Sequence, residues 1–189
     1  VIRRFATVAG MLTLDGTFWF FLAFLIAFRL LGVGGNSLTE SVGLTLGGAF
    51  GAALFVALGT ALIDLVFVAP ILNETGGRIP RLIESRQLTI YASAAETLGA
   101  IERACRDNGL RIREKDLAEG RVRASKGFSF ITSGEAVTFE MLELDEATTE
   151  LTLTSRPRSP FAYTDFGRNY RNVEAIANHL MGQGIRGKV

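Results

Sequence analysis

Apolar residues fill the first 72 positions of this chain with one polar break, and beyond that point they recur only in short periodic runs. Residues 17–33 (TFWFFLAFLIAFRLLGV) carry a single charge, Arg29, and residues 5–14 ahead of them are also largely apolar. A helix of spanning length is available there, starting before Asp15, since about 20 residues at about 1.5 Å each cross a hydrocarbon core. The turn-like segment 34–41 follows, and residues 42–72 then hold one charge, Asp64. As a helix that run reaches roughly 45 Å, more than a bilayer core requires. Two such runs in tandem predict a transmembrane helical hairpin over 1–72 rather than a pair of buried core helices. The first run is not followed by the small-residue cleavage site of a signal peptide.

After position 72 the pattern changes. Gly76, Gly77 and Pro80 break the helix and make 73–86 an interfacial linker. A soluble domain over 87–182 opens with a strand at 88–92, and Ser93 with Glu96 then forms the S-x-x-E box that starts a helix. Leu98, Ile101 and Cys105 lie on one face of that helix, which stops at Asn108-Gly109. Strand-like runs follow at 110–114, 121–125, 128–132 with 136–144, and 149–155. Val137, Phe139 and Met141 alternate with Thr138 and Glu140, and Leu151 and Leu153 with Thr152 and Thr154, as in a sheet with one buried face. A proline-bearing loop at 156–164 leads to a last helix with Val173, Ile176, Ala177 and Leu180 on its apolar face, and 183–189 is a tail. The order β-α-β-β-β-β-α predicts a membrane-anchored α+β protein with two helices on one face of an antiparallel sheet.

Residues 165–174, D-F-G-R-N-Y-R-N-V-E, resemble the C-terminal signature D-x-G-x-N-x-R-x-V-E of a bacterial and plastid family known as a domain of unknown function. The similarity covers about 88–181, and the preceding Ser155-Arg156 step fits it as well. Members often carry a further basic residue where this chain has Asn172, and the resemblance implies no particular reaction. On physical grounds Asp165 is a candidate cap for the last helix, Gly167 permits a tight entry, and Asn169 with Arg171 can tie the helix start to a neighbouring strand. The alternative is that Arg156, Arg158, Arg168 and Arg171 converge on a lipid headgroup or an acidic partner surface.

Charge narrows the partners. Lys and Arg number 20 against 19 Asp and Glu, and residues 79–189 hold 16 against 15, so nucleic acid is not an expected partner. One cysteine and one histidine leave no intrachain disulfide and too few soft ligands for zinc, and no metal or cofactor is expected. Cys105 has no neighbouring base and reads as core. No phosphate loop or nucleophile elbow is present, and the chain is not expected to be an enzyme.

Arg3 and Arg4 precede the first apolar run and Arg78, Arg81 and Arg86 follow the second, while 34–41 has no basic residue. This bias places both termini and the soluble domain in the cytoplasm, at a bacterial inner or photosynthetic membrane. Arg29 argues the other way, although its long side chain can snorkel. Gly43, Gly47 and Gly51, with Gly48 beside them, leave one face of the second run nearly bare. Either the first helix or a neighbouring subunit fills that face. Asp64, counted back from the loop, falls level with about Met11, where interfacial water or Arg3 and Arg4 can offset its charge. The expected function is a non-enzymatic accessory, structural or assembly subunit of a larger respiratory or photosynthetic complex, with the bilayer and other membrane-protein subunits as partners. The alternative is a membrane-tethered module for a lipid or small apolar ligand.

Overall fold

A computed structural model describes residues 2–31, 38–127, 134–182 and 187–188. The run at 128–132 and the centre of the predicted loop, 32–37, lie outside the described residues. The chain divides into two compact units, Val1–Gly77 and Arg78–Val189.

The first unit is two helices, α1 (Ile2–Leu31) and α2 (Leu38–Glu74). Both are long and apolar enough to cross a membrane by length and composition. Their seam is built from small residues. Ala49, Ala53, Ala57 and Ala61 recur every fourth position on α2 and are all at most 1% exposed. Opposite them Gly16 comes so near that a Cβ there would lie 3.2 Å from that of Ala53, and Val8 and Ala9 pack with Ala61. Threonine hydroxyls within the helices satisfy themselves: Thr13 donates to the carbonyl of Ala9 (2.7 Å), Thr17 to Thr13 (2.6 Å) and Thr60 to Val56 (2.9 Å). The antiparallel register set by Gly16–Ala53 and Ala9–Ala61 brings Asp64 level with about Phe5 rather than Met11. Met11 is the position that turns counted from a symmetric loop give, and the seam is instead set by where the alanines meet Gly16. Asp64 is buried at 2% exposure.

The second unit is α+β. Its elements run β1 (Glu84–Ile90), α3 (Ala94–Asp107), β2 (Arg111–Asp116), β3 (Arg121–Ser125), β4 (Glu135–Asp145), β5 (Thr148–Pro157), α4 (Arg168–Gly182) and a short β6 (Gly187–Lys188). The antiparallel sheet has the order β2-β3-β4-β5-β1-β6, with α3 crossing from β1 to the opposite edge at β2. Alternate residues of the central strands face one way: Leu88 and Ile90, Val137 and Phe139, Leu151 and Leu153 are all at most 2% exposed. Ile101 and Cys105 of α3 and Val173, Ile176, Ala177 and Leu180 of α4 close the same core, so both helices lie on one face of the sheet. Ser93 starts α3 by accepting the N–H of Glu96, whose carboxylate takes the Ser93 N–H (3.0 Å) in return, and Gly109 follows the helix at φ 68.

Two differences from the sequence reading have physical causes. β1 starts at Glu84, inside the segment read as linker, because the inward position at its head is occupied by a buried carboxylate rather than an apolar side chain. β6 arises within the predicted tail, where two residues pair with Thr89 and Ile90 of β1 and owe nothing to hydrophobic alternation.

Candidate functional site

The strand register brings the head of β1, the tail of β5, the head of β4 and the tail of β3 to one end of the sheet: Glu84 pairs with Ser155, Glu135 with Pro157 and Ser125 with Ala136. On the helix-covered face the apolar core gives way here to polar side chains. Glu84, Glu135, Ser155, Asp165 and Asn169 are each at most 2% exposed. Burying a carboxylate is costly unless it is paired, and each has partners. Glu84 accepts from Arg78 Nη2 (2.9 Å) and from the backbone N–H of Arg81 (2.5 Å). Glu135 lies 3.5 Å from Arg168 Nε. Asp165 accepts the backbone N–H groups of Gly167 (3.2 Å) and Asn169 (2.7 Å).

Asn169 is the hub. Its Oδ1 accepts from the Ser155 hydroxyl (2.7 Å) and its Nδ2 donates to the carbonyl of Leu82 (2.8 Å), so one side chain joins α4, β5 and the segment leading into β1. Gly167 at φ 71 and Phe166 at φ 53 turn the chain into α4. Phe166 sits where a bulky residue is strained, and its nearly buried ring offsets that cost. Further along α4, Glu174 binds Arg86 (2.6 Å) and Val173 enters the core. Asn172 is 7% exposed and accepts from Lys126 Nζ (3.3 Å).

Asp165, Gly167, Asn169, Val173 and Glu174 of the sequence signature thus fasten α4 to the sheet, and Ser93 caps α3. The four arginines do not converge. Ser155 faces the helices, so Arg156, next along the strand, points to the other face of the sheet. Arg168 turns inward to Glu135, Arg171 is exposed on α4, and Arg158 lies beyond β5. Gly47, Gly48 and Gly51 do not meet α1: a Cβ at any of them would find nothing within 4 Å. Gly43 lies on α2 where the side-chain surroundings fall outside the described residues. Glu84 and Glu135, two of the three buried acids of this site, were missed by the sequence reading. The available signal was a carboxylate at the inward phase of an otherwise alternating strand.

Chemically, this end is a fastening. The Ser155 hydroxyl meets an amide, which is no base, and Glu84 and Asp165 are committed to guanidinium and backbone N–H groups. Cys105 is buried, and burial, with the nearby Glu102 charge, pushes its thiol up to about 11, far from a reactive thiolate. Among the described residues no group of three or more His, Cys, Asp or Glu side chains is arranged to hold a metal ion.

No protein-family model and no curated protein matches the chain. Among solved structures, an aromatase/cyclase from Streptomyces sp. R1128 is 14% identical over 53% of this chain and 92% of its own, at a TM-score of 0.40. An HSP90 activator from Plasmodium falciparum is 15% identical over 57% of this chain and 100% of its own, at 0.38. A protein from Thermus thermophilus is 15% identical over 53% of this chain and 95% of its own, at 0.27. Likeness at this level transfers neither activity nor ligand.

The second unit also has a cleft of about 490 Å3 at the opposite end of the sheet, between the start of α3 (Ala94, Ala95, Leu98), the β2–β3 turn and Met141 and Leu142 of β4. Its walls are mostly apolar, with Glu119 and Glu143 also among its lining residues.

Proposed function

We propose that this chain is a non-enzymatic accessory subunit of a larger membrane complex, respiratory or photosynthetic, held in the bilayer by the α1–α2 hairpin with both termini and the α+β domain in the cytoplasm. The observation that carries this reading is the open glycine face of α2. On a helix of about 100° per residue, Gly47 and Gly51 stand two positions from Ala49 and Ala53, roughly 200° around the axis. The hairpin seam uses the alanine side, and the glycine side stays free for a helix of another subunit to approach closely. Extraction in mild detergent followed by mass spectrometry of co-migrating chains tests it. A stoichiometric set of larger subunits supports the accessory role, and a chain that migrates alone argues against it.

A second reading, a membrane-tethered module for a lipid or small apolar ligand, draws on the cleft beside α3, whose size and apolar lining suit such a molecule. Co-purified lipid that is lost on Ala95→Trp would favour it over the first.

A further inference from the structure

The near-neutral charge of the second unit hides a separation of charge by ends. Residues 127–155 contain no Lys or Arg but several acids, and of these Glu140, Glu143, Asp145 and Glu146 are exposed around the β4–β5 hairpin. At the other end the acids are withdrawn: Glu84, Glu135 and Asp165 are at most 2% exposed. Basic side chains reach solvent there. Arg81, Arg156 and Arg158 are exposed, and none of the three has an ion-pair partner among the described residues.

The same end carries exposed apolar side chains. Phe161, in the loop between β5 and α4, is 81% exposed, and Ile83, just before β1, is 55% exposed. Asn169 binds the carbonyl of Leu82, so the segment before β1 and the start of α4 adjoin. The chain also enters the domain at this end, through residues 75–83, a connection that reaches about 30 Å even when fully extended.

We propose that this end of the domain docks on an anionic lipid surface, with Arg156 and Arg158 at the headgroups and Phe161 and Ile83 in the interfacial layer. The inference rests on the membrane-anchored reading. Basic side chains are drawn to anionic headgroups within about a Debye length, and an exposed aromatic gains by leaving water at that depth. The acidic hairpin at the opposite end is repelled by the same surface, so the charge separation orients the domain as well as attracting it. Phe161 and the arginines are not needed for the core, and their exposure has a use on a surface of this kind.

The test uses the full chain in lipid nanodiscs, either zwitterionic or containing phosphatidylglycerol, with an environment-sensitive fluorophore on Ala162→Cys and, as reference, on Glu146→Cys. With phosphatidylglycerol, the label at 162 is expected to shift to the blue and to be quenched by acrylamide about threefold more slowly than the label at 146. Raised salt, Arg156→Glu with Arg158→Glu, or Phe161→Ser should each return it toward the reference. A chain that inserts but leaves 162 as exposed as 146 overturns docking alone. A chain that does not enter the discs overturns the anchored reading and docking with it. A shift that persists in zwitterionic discs and ignores the arginine changes overturns recognition of anionic lipid. A shift in detergent that grows with protein concentration would overturn docking on lipid by showing that a second copy covers this end.

Discussion

Asp165 shows how much a single side chain does at the start of α4. Its two carboxylate oxygens take the N–H groups of Gly167 and Asn169, and the second of these bonds holds in place the residue that reaches Ser155 and Leu82. Asp165→Ala is therefore expected to cost about 1–2 kcal/mol, at the upper end of helix-cap losses because the freed N–H groups are buried. Urea unfolding of the variant would measure it, and an unchanged midpoint would refute the capping role. Cys105 makes a prediction of opposite chemistry. Burial raises its thiol from 9.0 to about 11, so above pH 9 the unfolded chain gives up this proton while the folded chain keeps it. The folded state is then penalised: stability is level below pH 9 with respect to this group and falls by about 2–3 kcal/mol as pH climbs to about 11. Comparing the pH slope of the urea midpoint with that of Cys105→Ala isolates the group, and equal slopes would contradict the argument.

At the scale of elements, α2 offers two small-residue faces, and only one is used within the chain. Alanines at 49, 53, 57 and 61 form the seam with α1, whereas glycines at 47 and 51 stay open. Ala53→Leu should disrupt the hairpin, because Gly16 leaves no room for added bulk. Gly47→Leu should leave the hairpin intact and weaken only association with other subunits. Protease resistance in detergent reports the first effect and native mass spectrometry the second, and a Gly47→Leu protein that assembles normally would remove the glycine face as a contact. The glycines are legible in the sequence because three at strict spacing stand out. The alanines are not, being common enough in an apolar helix that their periodicity draws no notice. In the second unit the core was legible for a related reason: Leu88, Val137, Phe139, Leu151 and Leu153 alternate with polar residues, and Ser93 with Glu96 marks α3 unambiguously. The polar end was legible only in part. Asp165 and Asn169 belong to a spaced motif, and Glu84 and Glu135 share the inward phase of their strands, but what allows a carboxylate to be buried there, the guanidinium groups of Arg78 and Arg168, comes from outside the strands and has no local signal.

Across the whole molecule, the distribution of charge carries more than its sum. The excess of one positive charge over residues 1–189 argues against a polyanion partner and conceals both a basic flank on each side of the apolar segment and a basic end on the α+β unit. These features agree in direction. Arg3, Arg4, Arg78 and Arg81 flank the two apolar runs, and the segment 34–41 between them has no basic residue. The bias that retains Lys and Arg on the cytoplasmic side then predicts both ends of the hairpin there, together with the domain that follows α2. Single cysteines introduced at Ser37 and Glu146 make this measurable, since Cys105 is buried and its thiol stays protonated. In sealed inside-out vesicles a membrane-impermeant maleimide should modify Glu146→Cys at once and Ser37→Cys only after permeabilisation. In right-side-out vesicles or spheroplasts the order should reverse. Arg29 supplies the opposing pull, and its replacement by Leu should sharpen the orientation rather than change it. Labelling of both positions from one side would mean that the two helices do not cross the membrane, and the glycine face would then have to be explained in water, where an exposed strip of Gly47, Gly51, Phe50 and Leu54 has no reason to persist uncovered.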